Sequence, residues 1–141
     1  MNDFAHHTYS IALRIEGLEV LPSVISAELG LAPSHTRERD EPRGTSGKFR
    51  QGLWSYSATN QSDGVIVEWT SLEDGLLSLI DELRPKHDLI SRYARDFDVC
   101  WWCGHFQKSF DGGPHFSPML FKKLADFGIP LFLDNYFSET E

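Results

Sequence analysis

Two passages of the chain repeat one design. "AELGLAP" (residues 27–33) and "ADFGIPL" (residues 125–131) each run a helical pattern into a glycine, an aliphatic residue and a nearby proline. Glycine takes the left-handed conformation that ends a helix, and proline prevents its continuation. Strand-like stretches flank both passages. Residues 9–16, "YSIALRIE", place Tyr9, Ile11, Leu13 and Ile15 on one face. "LWSYSAT" follows the first helix, "DVCWWCGHF" precedes the last one, and "IPLFLDNYF" follows that. The order is strand–helix–strand, an intervening helical stretch, then strand–helix–strand. It predicts an α+β fold of two strand–helix–strand units in a ferredoxin-like, split βαβ arrangement. A mainly antiparallel sheet of about four or five strands would carry helices on one face.

Local signals mark the helix ends. Pro22 suits a first turn, with Val24, Ile25 and Leu29 on one side and Gly30 at the stop. Ser71, with Asp74 three residues on, opens a second helix striped by Leu72, Leu76, Leu79, Ile80 and Leu83. Pro85 interrupts it, and a further helical piece turns Leu89, Ile90 and Tyr93 inward. Ser117 and Pro118 give the last helix a cap and a first-turn proline. Its inward face is Leu120, Phe121, Leu124 and Phe127, and Gly128 stops it. Residues 32–52 are polar, rich in breakers, and read as one long loop. "NQSDG" reads as the turn of a hairpin whose second arm is "VIVEW". A single domain spans 1–141, with its core in about 9–136 and flexible ends, "SETE" being a solvated tail.

With 141 residues the chain buries one ordinary core. Its formal charge of −8 opposes unspecific binding to nucleic acid or to anionic membranes, which need positive potential. No apolar run approaches the roughly 20 residues that cross a bilayer. The opening has neither a basic n-region nor an apolar h-region. Two cysteines make no secreted disulfide framework. A cytoplasmic location, without nucleic-acid or membrane partners, is the expectation.

Both cysteines lie in "DVCWWCGHF". "WCGHF" places Phe106 where a dithiol redox centre needs its resolving cysteine, so redox chemistry lacks a partner thiol. Cys100, Cys103, His105 and His115 include zinc-ligand residue types. In a strand, however, residues three apart point to opposite faces, about 10 Å apart at Cα, and cannot share a metal. The favoured reading is an aromatic strand with Phe97, Val99, Trp101 and Cys103 on the core side. Trp102 on the other side, with Tyr56 or Trp54 on a neighbouring strand, would form an uncovered docking patch. No metal or other cofactor is expected.

The loop at 32–52 carries His35, Arg37, Arg39, Arg43, Lys48 and Arg50 beside Glu38, Asp40 and Glu41. Arginines so gathered can grip a phosphate or carboxylate through paired hydrogen bonds. Local neutralisation of the loop by its own acids is the plainer expectation. "DGGPHFSP" lacks the lysine and spacing of a phosphate-cradling loop. His105, His115, Asp111 and Asp134 could converge at one sheet end, but no nucleophile elbow, H-E-x-x-H or paired-carboxylate motif accompanies them. Catalytic residues are therefore not assigned.

Several stretches together resemble a known family. They are "YSIALRIEG", "ISAELGLAPS", "GLWSYSA", "SLEDGLLSLIDELRP" and "GGPHFSPMLFKKLADFGIPLFLDNYF". Taken in order, from about Tyr9 to Tyr136, they are similar to the bacterial family termed domain of unknown function 4279. The features in common map to Leu29-Gly30-Leu31, Arg37 to Arg43, Leu53-Trp54-Ser55, Gly112-Gly113, Ser117-Pro118, and Asp134 with Tyr136. The resemblance implies a small bacterial α+β domain and no particular reaction.

Two functions follow as expectations. The first is a non-enzymatic interaction module of the immunity or antitoxin type, whose surface acids complement a basic partner protein. The alternative is a small-ligand-binding protein or enzyme with a site uniting the arginine loop and Trp54. The candidate binding residues are Arg37, Arg43, Arg50, Trp54, Trp102, His105 and Asp134. The last strand, with an exposed edge, would also permit a homodimer.

Overall fold

A computed structural model describes residues 7–138. The expectations for the amino-terminal opening and for residues 139–141 of the tail lie outside the described residues. β1 (His7–Gly17) leads into α1 (Pro22–Leu29), then β2 (His35–Arg37) and β3 (Gly52–Ser57). β4 (Asn60–Ser62) and β5 (Val65–Val67) form a separate hairpin. α2 (Leu72–Leu83) passes through a 3-10 turn (Arg84–Lys86) into α3 (His87–Asp96). β6 (Asp98–Gln107), α4 (Pro118–Phe127) and β7 (Leu131–Phe137) complete the chain.

Five strands form the main sheet in the order β2-β3-β1-β6-β7. All neighbours are antiparallel except β6 and β7. The α+β class and mostly antiparallel sheet match the expectation. Ile11, Leu13 and Ile15 of β1 enter one core with Trp54 of β3 and Val99, Trp101 and Cys103 of β6. The stripes of α2 and α4, with Ile25, Leu29, Ile90 and Tyr93, close over them. Helices thus cover one face of the sheet. On the other face Arg14, Cys100, Trp102, Phe106, Phe132 and Tyr136 reach solvent in whole or part.

The helix ends follow their local chemistry. Gly30 and Gly128 adopt left-handed φ of 69° and 70°, and their N–H groups bond to Ser26 and Leu124 carbonyls. Ser71 Oγ accepts from Asp74 N at 3.0 Å, and Ser117 Oγ accepts from Leu120 N at 3.2 Å. These side chains satisfy amides that have no partner inside the helix.

Several readings need correction. Val24 and Phe121 are exposed, because each helix meets the core along a narrower stripe than its apolar spacing suggests. The stretch 32–52 is not loop throughout: residues 35–37 form β2, paired antiparallel with β3, with Thr36 opposite Trp54. Residues 60–62 are a hairpin arm rather than its turn. Asp63 and Gly64, both at positive φ, make the turn.

Candidate functional site

The arginine segment is exposed, yet it is folded back on itself. Asp40 N donates to Phe49 O at 2.8 Å, Phe49 N to Glu41 O at 2.9 Å, and Arg43 N to Gly47 O at 3.2 Å. Gly44 and Gly47 take positive φ, which lets so short a reversal close. Arg39 ties the structure down, donating to the Leu18 carbonyl and lying near Glu19 and Asp40. The result is a cleft of about 540 Å³ lined by Glu16, Leu18, Arg37, Arg43, Lys48, Phe49, Arg50 and Gln51.

Phe49 organises this cleft. The Arg37 and Arg43 guanidinium carbons lie 4.4 and 5.7 Å from its ring centroid. Cation–π contact holds both planes while leaving hydrogen-bond donors for a ligand. Arg37 Nε is buried without a hydrogen-bond partner. Among the described residues, Arg37, Arg43, Lys48 and Arg50 form no salt bridge. The expected neutralisation by the loop's own acids is therefore not what the fold does. Arg39 alone pairs with Asp40, while Glu41 accepts from the Glu38 amide.

The other candidates stand elsewhere. Trp54 is fully buried on the helix-covered face, and its Nε1 donates to Ser26 Oγ at 3.0 Å. It does not line the cleft. Its register partner in β1 is Ile15, so Trp54 and Trp102 point to opposite faces and cannot share a patch. Trp102 keeps different company: Arg14 lies 5.5 Å from its ring, and its Nε1 donates to Asp134 Oδ2 at 3.3 Å. Tyr136 donates to the same oxygen and stacks on Phe106 at 4.7 Å. Phe49, Arg14 and Tyr136 were not singled out by sequence as site residues. A lone aromatic between two cations in "GKFRQG" was the available signal for the first.

Cys100 faces Arg14 and Cys103 faces Ile11 across the β1–β6 ladder, so the thiols occupy opposite faces. Burial pushes both thiols upward, Cys103 to about 12. Such thiols are poor nucleophiles near neutral pH.

His105 is buried and stacks between His7 and Tyr9, at 5.1 and 5.2 Å. His7 Nε2 lies 2.8 Å from the Asp111 carbonyl, which can only accept, so that nitrogen carries a proton. In the neutral pair His7 Nδ1 then accepts from His105 Nε2, 2.9 Å away. His105 Nδ1 is left without a hydrogen-bond partner. Burial first, and His7 second, push its protonation below the usual range, while Asn135 acts in the opposite sense. The unfolded chain therefore binds a proton near pH 6.5 that the folded chain refuses, so this group lowers stability as pH falls through that range. His87, raised by the Asp126 carbonyl and by Asp88, has the opposite sign: its contribution is lost as pH rises. Comparing the wild type with His105→Gln isolates the first effect. Between pH 7.5 and 5.5 the wild type should lose more thermal stability, or gain less, than the variant.

Among the described residues no helix is long and apolar enough to cross a membrane. No curated protein and no solved structure matches the chain. One family model does, over residues 7–138, which takes in every strand and helix described above. The chain belongs to the family described as domain of unknown function, DUF4279.

Proposed function

We propose that the protein is a non-catalytic binding module whose ligand presents a phosphate or carboxylate to the arginine cleft. The observation that carries this is the convergence in one cleft of an otherwise acidic protein of four cations that form no ion pair among the described residues. Charged hydrogen bonds to guanidinium are among the stronger polar contacts, and Phe49 already holds two of the planes. The lining contains no histidine, cysteine or serine, which favours capture over chemistry. The chain's acidic balance also suits an immunity- or antitoxin-like partner, but that property belongs to the surface at large. We read the strand order as a split βαβ pattern: β3 lies between β1 and β2, β1 lies between β3 and β6, and β7 is an addition at the edge.

Calorimetric titration with sodium pyrophosphate, inorganic phosphate and citrate at low salt tests the cleft. At least one should bind, with affinity falling as salt rises. Arg37→Gln and Arg43→Gln should each weaken binding about tenfold, the equivalent of losing one charged hydrogen bond. Absence of binding by all three anions at millimolar concentration would refute the reading. So would an unchanged affinity in both variants.

A further inference from the structure

We propose that the outer edge of β7 docks an extended segment of a partner polypeptide. The segment carries apolar side chains at its first and sixth positions and a basic one at its fourth, counted along β7.

The argument begins with the backbone. Trp101 N donates to Pro130 O and Ser138 N to Gln107 O, so the even-numbered residues of this stretch turn their polar groups toward β6. Alternation along a strand sends the N–H and C=O groups of Leu131, Leu133, Asn135 and Phe137 outward. Among the described residues no strand lies on that side. Proteins commonly guard such an edge with lysine, proline or a bulge. "LFLDNYF" has neither residue, and Phe132 is 52% exposed. The opposite edge, β2, is only three residues long and ends at the arginine segment.

Two clefts touch β7. One, of about 290 Å³ and mostly apolar, lies between α4 and Leu131. The other, of about 310 Å³, lies over the ends of β6 and β7 on the inner side of Tyr136 and reaches Thr8 of β1. Residues 131 and 136 point to opposite faces, being an odd number of positions apart. An added strand in register would send its first side chain to the apolar cleft and its sixth against the exposed ring of Tyr136. Asp134 lies between them on the Tyr136 side. Trp102 and Tyr136 both donate to its Oδ2, which leaves Oδ1 to meet an incoming cation.

That charge also selects against a second copy. Antiparallel self-pairing along all seven residues would set Asp134 directly opposite Asp134, and like charges so placed are destabilising. Antiparallel addition of a heterologous segment has no such conflict.

The probe is a capped hexapeptide, Leu-Thr-Lys-Thr-Thr-Leu, which reads correctly when antiparallel to β7. In an NMR titration, amide signals of Leu131, Leu133, Asn135 and Phe137 should shift saturably. Glutamate in place of the peptide lysine should weaken binding about tenfold, and Asp134→Asn should erase that preference. Asn135→Pro removes one outward donor and should also weaken binding; its folding is verified by the unchanged core spectrum. If that variant fails to fold, the lysine–glutamate comparison still decides. Shifts confined to other regions, or no lysine preference, would overturn the proposal. Concentration-dependent dimerisation by sedimentation, without peptide, would overturn it in favour of a second copy.

Discussion

Replacing Trp54 by alanine should lower the unfolding free energy by about 3–5 kcal/mol, the range for removing a buried indole. Trp54 is fully buried, stands opposite Ile15, and bonds to Ser26 on α1. The substitution opens a cavity beneath that helix and removes the bond that fastens it. Against a total stability of about 5–15 kcal/mol, the loss is large. Trp54→Phe retains much of the packing and gives up the N–H bond to a half-exposed hydroxyl, so about 1–2 kcal/mol is expected. Denaturant titrations measure both. The phenylalanine variant should bind cleft anions as the wild type does, while Arg37→Gln should lose affinity at nearly unchanged stability. A Trp54→Phe variant that folds normally but loses anion binding would return Trp54 to the ligand site.

That contrast shows why the site was only partly legible. Alternation in "LWSYSAT" reveals that neighbouring residues face opposite ways, but it cannot say which face receives the helices. The sheet order settles this for Trp54 and Trp102 through pairings 39 and 90 residues away from β1's Ile15 and Ala12. Helix ends were legible because their causes are local: Gly30, Ser71, Ser117 and Gly128 act on amides or carbonyls within four residues. β2 was not legible, since three polar residues carry no periodic signal and become a strand only against β3. The arginines were visible as residue types. Their convergence depends on Phe49 and on backbone bonds folding residues 40–49 back on themselves.

Gly52 should be among the least replaceable positions, although it has neither a positive φ nor a special turn role. A Cβ added there would lie 2.3 Å from the Val20 carbonyl oxygen. Backbone cannot rotate away from such a contact, so Gly52→Ala must push the residue 17–20 turn off the start of β3. A cost of about 3 kcal/mol, toward the upper end for overpacking, is expected. Gly75 supplies the comparison: its added Cβ would meet Ile11 Cδ1 at 2.2 Å, an equally severe overlap with the end of a side chain. There the methyl can move, and alanine gains about 1 kcal/mol of helix propensity over glycine. Gly52→Ala should therefore be the more destabilising by at least about 1 kcal/mol in denaturant unfolding. It should also weaken anion binding, because Leu18 and Gln51 of the cleft adjoin the two segments forced apart. Gly75→Ala, packed on the opposite face of the sheet, should leave the anion affinity unchanged. Equal costs for the two substitutions would mean that the turn yields as readily as a side chain, and the cleft would then rest on a far softer support than its backbone contacts imply.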